Sequence, residues 1–265
     1  MRKIGNGKRI WEILQIALIV IFCALTIALD FLSVKYVNDP FRNKMISTIV
    51  QTVCGSIAAI LLMLRLRIRL FGKAHGLLYL IPCIIVAIDN FQWSALIQGK
   101  MELVRTAPMD VILFAMNCFS VGLFEECIFR GIVISVLASV FPNNKKGFLL
   151  TFIFSSVIFG FAHLLNGFSW QVLYTMLTGA VFAFCLIKTK NIFLCAFIHG
   201  LYNFCGLLFD TQGLGGGVVF DLGTVLTMLF VSIIVGVFIL VHTLRYTEEE
   251  REVLYARLAV KTEKK

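Results

Sequence analysis

Two adjacent carboxylates, Glu125 and Glu126, are followed by Arg130 in a stretch that otherwise reads as membrane-buried helix, Val121-Gly-Leu-Phe-Glu-Glu-Cys-Ile-Phe-Arg130. A charge at the centre of a bilayer costs at least about 2.5–3.5 kcal/mol on the mildest scale, so three within six residues need a reason. Glu126 and Arg130 are four apart with the acid first, and can pair along one helix face. Glu125 lies about 100° round the helix from Glu126 and must find its partner elsewhere. Two histidines fall inside later apolar runs: His163, after Phe159-Gly-Phe-Ala, and His199, which begins His199-Gly-Leu-Tyr-Asn203. His199 and Asn203 are one helical turn apart and share a face. A carboxylate can activate water as a general base. Two imidazoles with a carboxylate (His163, His199 and Glu125) can hold Zn²⁺, which acidifies a bound water. An Asn amide can donate to a developing oxyanion. Together these groups suit hydrolysis of a peptide bond.

Positioning them falls to helices. The composition is 59% hydrophobic and only 15% charged, with a mean hydropathy of +0.92, against about 25% charged for a soluble chain. Eight apolar runs approach the roughly 20 residues that cross a bilayer: Trp11–Phe31, Met45–Leu64, Gly76–Leu96, Met109–Val133 (extending toward Phe141), Gly147–Leu165, Ser169–Ile187, Ile192–Phe209 and Leu222–Leu244. The expected fold is all-α, a polytopic membrane protein of about eight transmembrane helices. Residues 1–246 form one helical membrane domain, and residues 247–265 a charged amphipathic cytoplasmic tail. Pro142-Asn-Asn-Lys-Lys-Gly147 is a turn signal that closes a hairpin between the fourth and fifth runs. Glu125 and His163 lie symmetrically about residue 144, so the hairpin brings them to one depth. The seventh run supplies His199 and Asn203 if it packs on the same pair, although His199 falls nearer the inner end of its run than His163 does.

The net charge of +9 concerns orientation rather than nucleic acid. With the N-terminus inside, the inner segments hold 18 of the 24 Lys and Arg and the outer ones 5, which favours both termini on the cytoplasmic side. The first run is longer than a signal-peptide core and is expected to stay as a span. All eight cysteines fall within spans without a C-x-x-C pair, so neither a disulfide nor a cysteine metal framework is expected. Thr247-Glu-Glu-Glu250 has the form of a capping box, and the tail sets Val253, Leu254 and Leu258 on one side. His75 and His242 read as interfacial. Asp89-Asn90, polar inside the third run, reads either as helix packing or as lining of the active-site cavity. Gly160, Gly179 and Ala180 would permit close helix approach.

Glu125-Glu126-x-x-x-Arg130, Phe159-x-x-x-His163 and His199-x-x-x-Asn203 resemble, in order, the three signature motifs of the CPBP (CAAX-protease and bacteriocin-processing, Abi) intramembrane proteases, the type II CAAX prenyl endopeptidases among them. The resemblance covers about residues 108–210. It implies Glu125 as general base or metal ligand, His163 and His199 as metal ligands or orienters of the attacking water, and Asn203 as an oxyanion donor. It also implies Glu126 with Arg130 as a buried structural pair, with Phe159 packed beside the site. The expected activity is endoproteolysis of CAAX-type, bacteriocin or signal-peptide substrates, by a zinc or a glutamate-only mechanism. The expected partners are the lipid bilayer and a peptide or membrane-protein substrate, not nucleic acid. The alternative is a non-catalytic immunity or scaffold protein binding a membrane partner. A proton-coupled transporter is disfavoured because no internal repeat is visible.

Overall fold

The computed structural model describes residues 6–31, 34–166, 170–217 and 222–259. Gly167 and the last six residues of the tail lie outside them. Each apolar run is helical. In chain order the helices are α1 (Asn6–Phe31), α2 (Pro40–Arg65), α3 (Leu80–Asp89), α4 (Trp93–Ile97), α5 (Pro108–Glu126), α6 (Ile134–Val140), α7 (Lys145–Ala162), α8 (Trp170–Thr189), α9 (Ile192–Leu207), α10 (Leu222–Leu244) and α11 (Glu248–Arg257). Among the described residues there is no strand, only an isolated bridge between Leu103 and Gly215. This is an all-α membrane protein. Four helices are long and apolar enough to cross a bilayer, Pro40–Arg65, Lys145–Ala162, Val172–Thr189 and Leu226–Leu244, and three shorter ones are also apolar.

Local chemistry sets the boundaries. Asp39 caps α2 through the Arg42 N–H, with Pro40 in the first turn. Asn144 caps α7 through the Gly147 N–H, and Asn191 caps α9 through the Leu194 N–H. Each supplies an acceptor to an N–H that the helix itself leaves orphaned. The capping box read at Thr247 and Glu250 is present in full.

Two runs depart from simple helices. The third breaks after Asp89: Asn90 is the C-cap of α3, and its side-chain amide bonds another helix. The fourth carries a π-helical stretch, Cys127–Val133, between α5 and α6. Such stretches concentrate at functional sites, and this one holds Arg130.

α8 is the central helix, and every residue from Val181 to Lys190 is buried. α7, α9, α3 and α10 surround it. α2 backs the α5 rod, with a Thr52 to Ser120 hydrogen bond of 2.9 Å and Met63 lying where a Cβ on Gly131 would point. α5 and α9 pack most intimately. A Cβ on Gly122 would come within 2.9 Å of the Ala196 carbonyl, and one on Gly200 would meet the Phe119 ring. Only glycine fits at this crossing, and His199 adjoins it. Gly160 and Gly179 do the same between α7 and α8, as the small-residue pattern predicts.

The connections gather in two sets. At one end Arg257 donates to the carbonyls of Lys73 and Lys190 and to His75 Nε2, Arg251 bonds Asn143, and Asn191 bonds the Gly72 carbonyl. At the other, Arg42 pairs with Asp110 at 2.6 Å, Arg105 with Asp39 at 3.2 Å, and the Leu214 carbonyl accepts from Val104 and Arg105. The tail is not a free amphipathic segment: α11 buries Leu254, Tyr255 and Leu258 against the domain and leaves Val253 exposed. The apolar residues there face protein, because the 66–76 and 188–191 connections offer α11 carbonyls and an apolar floor.

Candidate active site

α5 ends on its two glutamates. Glu126 is fully buried, and its Oε2 lies 3.3 Å from Arg130 Nε, as the four-residue spacing predicts. Arg130, also fully buried, donates from Nη2 to the Gly179 carbonyl of α8 at 3.1 Å. Its guanidinium carbon stands 4.5 Å from the Phe159 ring centroid and 5.6 Å from that of Phe182. The aromatic faces add cation–π attraction to a fully buried cation.

The structure adds a bond that the spacing does not reveal. Glu126 Oε1 lies 2.9 Å from His199 Nδ1, reaching across to α9. Glu126 is therefore not only the mate of Arg130; it joins Arg130 to His199. Beside a carboxylate at this distance Nδ1 carries a proton, and Nε2 is the ring nitrogen on the other side. That nitrogen faces Glu125, with Oε2 3.7 Å away. Glu125 Oε2 is buried, yet makes no hydrogen bond among the described residues.

Aromatic rings frame His199. Phe182 stacks on it, with centroids 4.5 Å apart and planes at 19°, and Phe159 meets it edge-on at 5.8 Å. Phe159 also meets the His163 ring at 5.1 Å, so a single phenyl lies against both imidazoles despite their unequal places along their helices. His163 closes α7, its Nδ1 3.0 Å from the Phe159 carbonyl. Among the described residues the imidazole that meets Glu125 is that of His199, and no hydrogen bond or ion pair joins Glu125 to His163. Asn203 lies one turn beyond His199 on α9 and is half-buried.

Among the described residues no three His, Cys, Asp or Glu side chains converge closely enough to hold a metal ion. Glu125 and His199 are adjacent, and His163 lies against Phe159, which also meets His199. Of the other candidates, His75 lies in the 66–76 connection, and His242 is bound by Nδ1 to its own helix at the Phe238 carbonyl. Phe182, the plate beneath His199, carries no signal in the sequence beyond its apolar character.

Residues 107–205, which hold all three motifs, match the family model described as type II CAAX prenyl endopeptidase Rce1-like. Neither a curated protein nor a solved structure matches the chain.

Proposed function

We propose, for a chain whose residues 107–205 match the type II CAAX prenyl endopeptidase Rce1-like family model, a hydrolysis in which Glu125 is the general base. The observation that carries this reading is the facing pair of Glu125 Oε2 and His199 Nε2, 3.7 Å apart. Both atoms are acceptors when the His199 ring is neutral, with its proton on Nδ1 against Glu126, and a water that donates to both is oriented by them. Glu125 removes one proton, and the hydroxide adds to the scissile carbonyl carbon. The Asn203 amide supplies a donor to the oxyanion. Collapse of the intermediate expels the amine, which takes the proton back from Glu125. Glu126 and Arg130 hold the His199 ring and its tautomer throughout.

The substrates belonging to this reading are CAAX-type C-termini and bacteriocin or signal peptides, short extended segments at the membrane. The matching topology is eight passes with both termini in the cytoplasm. It is supported by the gathering of the basic connections, 66–76, 141–146 and 188–191, with α11 at one end of the bundle.

The test is cleavage of quenched peptides by the purified protein in detergent. Glu125→Gln is expected to lower kcat by about 10²–10⁴-fold, the usual worth of a general base, with unchanged helical content. Wild-type turnover in that variant would overturn the assignment. A chelator arm separates a Zn²⁺ enzyme from one that uses glutamate alone.

A further inference from the structure

Asn90 is a buried polar residue that the proposed reaction does not use. Its amide nitrogen donates to the Tyr202 carbonyl of α9 at 2.8 Å, and its amide oxygen accepts from the Tyr174 hydroxyl of α8 at 3.1 Å. Three helices therefore meet on one side chain. The contact is cut into α9 by Gly206, where an added Cβ would collide with the Asn90 amide. Bonding a carbonyl that already serves a helix, through a slot only glycine provides, fixes α9 both along its axis and about it.

The clamped turn is the one next to the candidate base's partner. Tyr202, whose carbonyl is held, lies three residues after His199. Its ring packs edge-on against Phe182 at 5.8 Å, and Phe182 in turn stacks on His199 at 4.5 Å. Tyr202 also touches Tyr174 ring to ring at 6.1 Å. Asn90 thus reaches His199 by two short routes, the α9 backbone and the Tyr202–Phe182 stack. Asn90 is also the C-cap of α3, so the contact lies at the end of that helix.

We infer that Asn90, with Tyr174 and the notch at Gly206, is a positioning residue that sets the rotation of α9 and so holds His199 Nε2 toward Glu125. The inference rests on the peptidase reading for its consequence in catalysis, but not for its geometry.

The test compares the wild type with Asn90→Ala, Tyr174→Phe, Gly206→Ala and the Asn90→Ala/Gly206→Ala pair in the full chain. The readouts are kcat and KM on the best quenched peptide and the NMR shifts of the ring protons of labelled histidines. The chain has only four histidines, and His199 is identified by its upfield ring-current shift over Phe182. Asn90→Ala is expected to lower kcat about tenfold or more, as small misplacements of a catalytic group do, with KM little changed and the His199 shift reduced. Tyr174→Phe removes one hydroxyl without opening a cavity, and is expected to give a smaller loss of the same kind. Gly206→Ala is expected to be as harmful as Asn90→Ala, yet harmless on top of it, because truncating the Asn90 amide vacates the slot the new methyl needs. Losses that multiply in the double variant, or an unmoved His199 shift in both Asn90→Ala and Tyr174→Phe, would overturn the inference. A wild type that cleaves nothing, with the His199 shift moving as described, would sustain the clamp and sink the peptidase reading.

Discussion

At the scale of residues, the site is a chain of polar groups that cannot be separated: Arg130, Glu126, His199 and Glu125. Fully buried ion pairs contribute little net stability against an apolar replacement, but removing one partner strands the other. Arg130→Met is therefore expected to destabilise the fold by about 3–5 kcal/mol, read as a fall in the unfolding midpoint in detergent. Arg130→Lys is expected to recover little of this, since it loses the planar fork that serves Glu126, the Gly179 carbonyl and two aromatic faces together. The Glu126–Arg130 half of this chain was legible in the sequence, because four residues is a helical turn. The Glu126–His199 half was not. It joins residues 73 apart, and no local periodicity encodes which imidazole a buried carboxylate will reach. Hairpin symmetry brings His163 toward Glu125. The structure puts Phe159 against His163 and gives Glu125 to His199, since backbone symmetry about a turn fixes depth but not side-chain direction.

At the scale of elements, the site exists because α5 and α9 touch. Gly122 and Gly200 remove the side chains that would hold the helices apart, and the side chains of Glu125, Glu126 and His199 then meet just beyond the crossing. Gly200→Val is expected to cost about 1–3 kcal/mol through overpacking. It should also lower peptidase kcat well beyond what the loss of folded protein explains, checked by comparing activity with the folded fraction in one preparation. Apolar periodicity revealed these helices and their order, but it over-read the third run as continuous. The apolar residues of that run favour helix on both sides of the break. Asn90, at the break, bonds a carbonyl on α9, 112 residues away, a contact no local pattern encodes.

At the scale of the whole molecule, the two sets of connections close the bundle at its ends, and α11 straps one of them. Lys188 is buried between the rings of Tyr79 and Tyr246 at 4.9 and 4.8 Å and pairs with Glu250 at 3.4 Å. His75 Nε2 accepts from Arg257 at 2.8 Å and must be neutral to do so. Desolvation, and then the charges of Arg257, Lys190 and Lys73, hold its pKa below the usual 6.5. A histidine whose pKa is depressed in the docked state favours docking above 6.5, and that contribution is lost as pH falls through the docked value. Glu250 acts in the same direction at lower pH. Burial alone would raise its pKa, but the Thr247 N–H and Lys188 outweigh burial and leave it below the usual 4.5, so its support is lost as pH falls below that range. α11 amides are expected to exchange with deuterium faster at pH 5.5 than at pH 7.5, relative to α8 amides in the same sample and after correction for intrinsic rates. His75→Ala is expected to remove most of the difference between those two pH values.

The π-helical stretch has a consequence for how genetic variants of this chain should be weighed. Such a stretch fits more residues into a turn than the α-helix on either side, so it holds a residue that an α-helix of the same angular span would not. An in-frame loss of one codon between Arg130 and Ile134 would spare every motif residue. It would let the rod run on as ordinary α-helix with nearly the same facing beyond it. Ile134, Ser135 and Ala138 would still face the core. The same loss inside α5 would turn everything after it by about 100°, so the deletion in the π-helical stretch is expected to be the milder of the two.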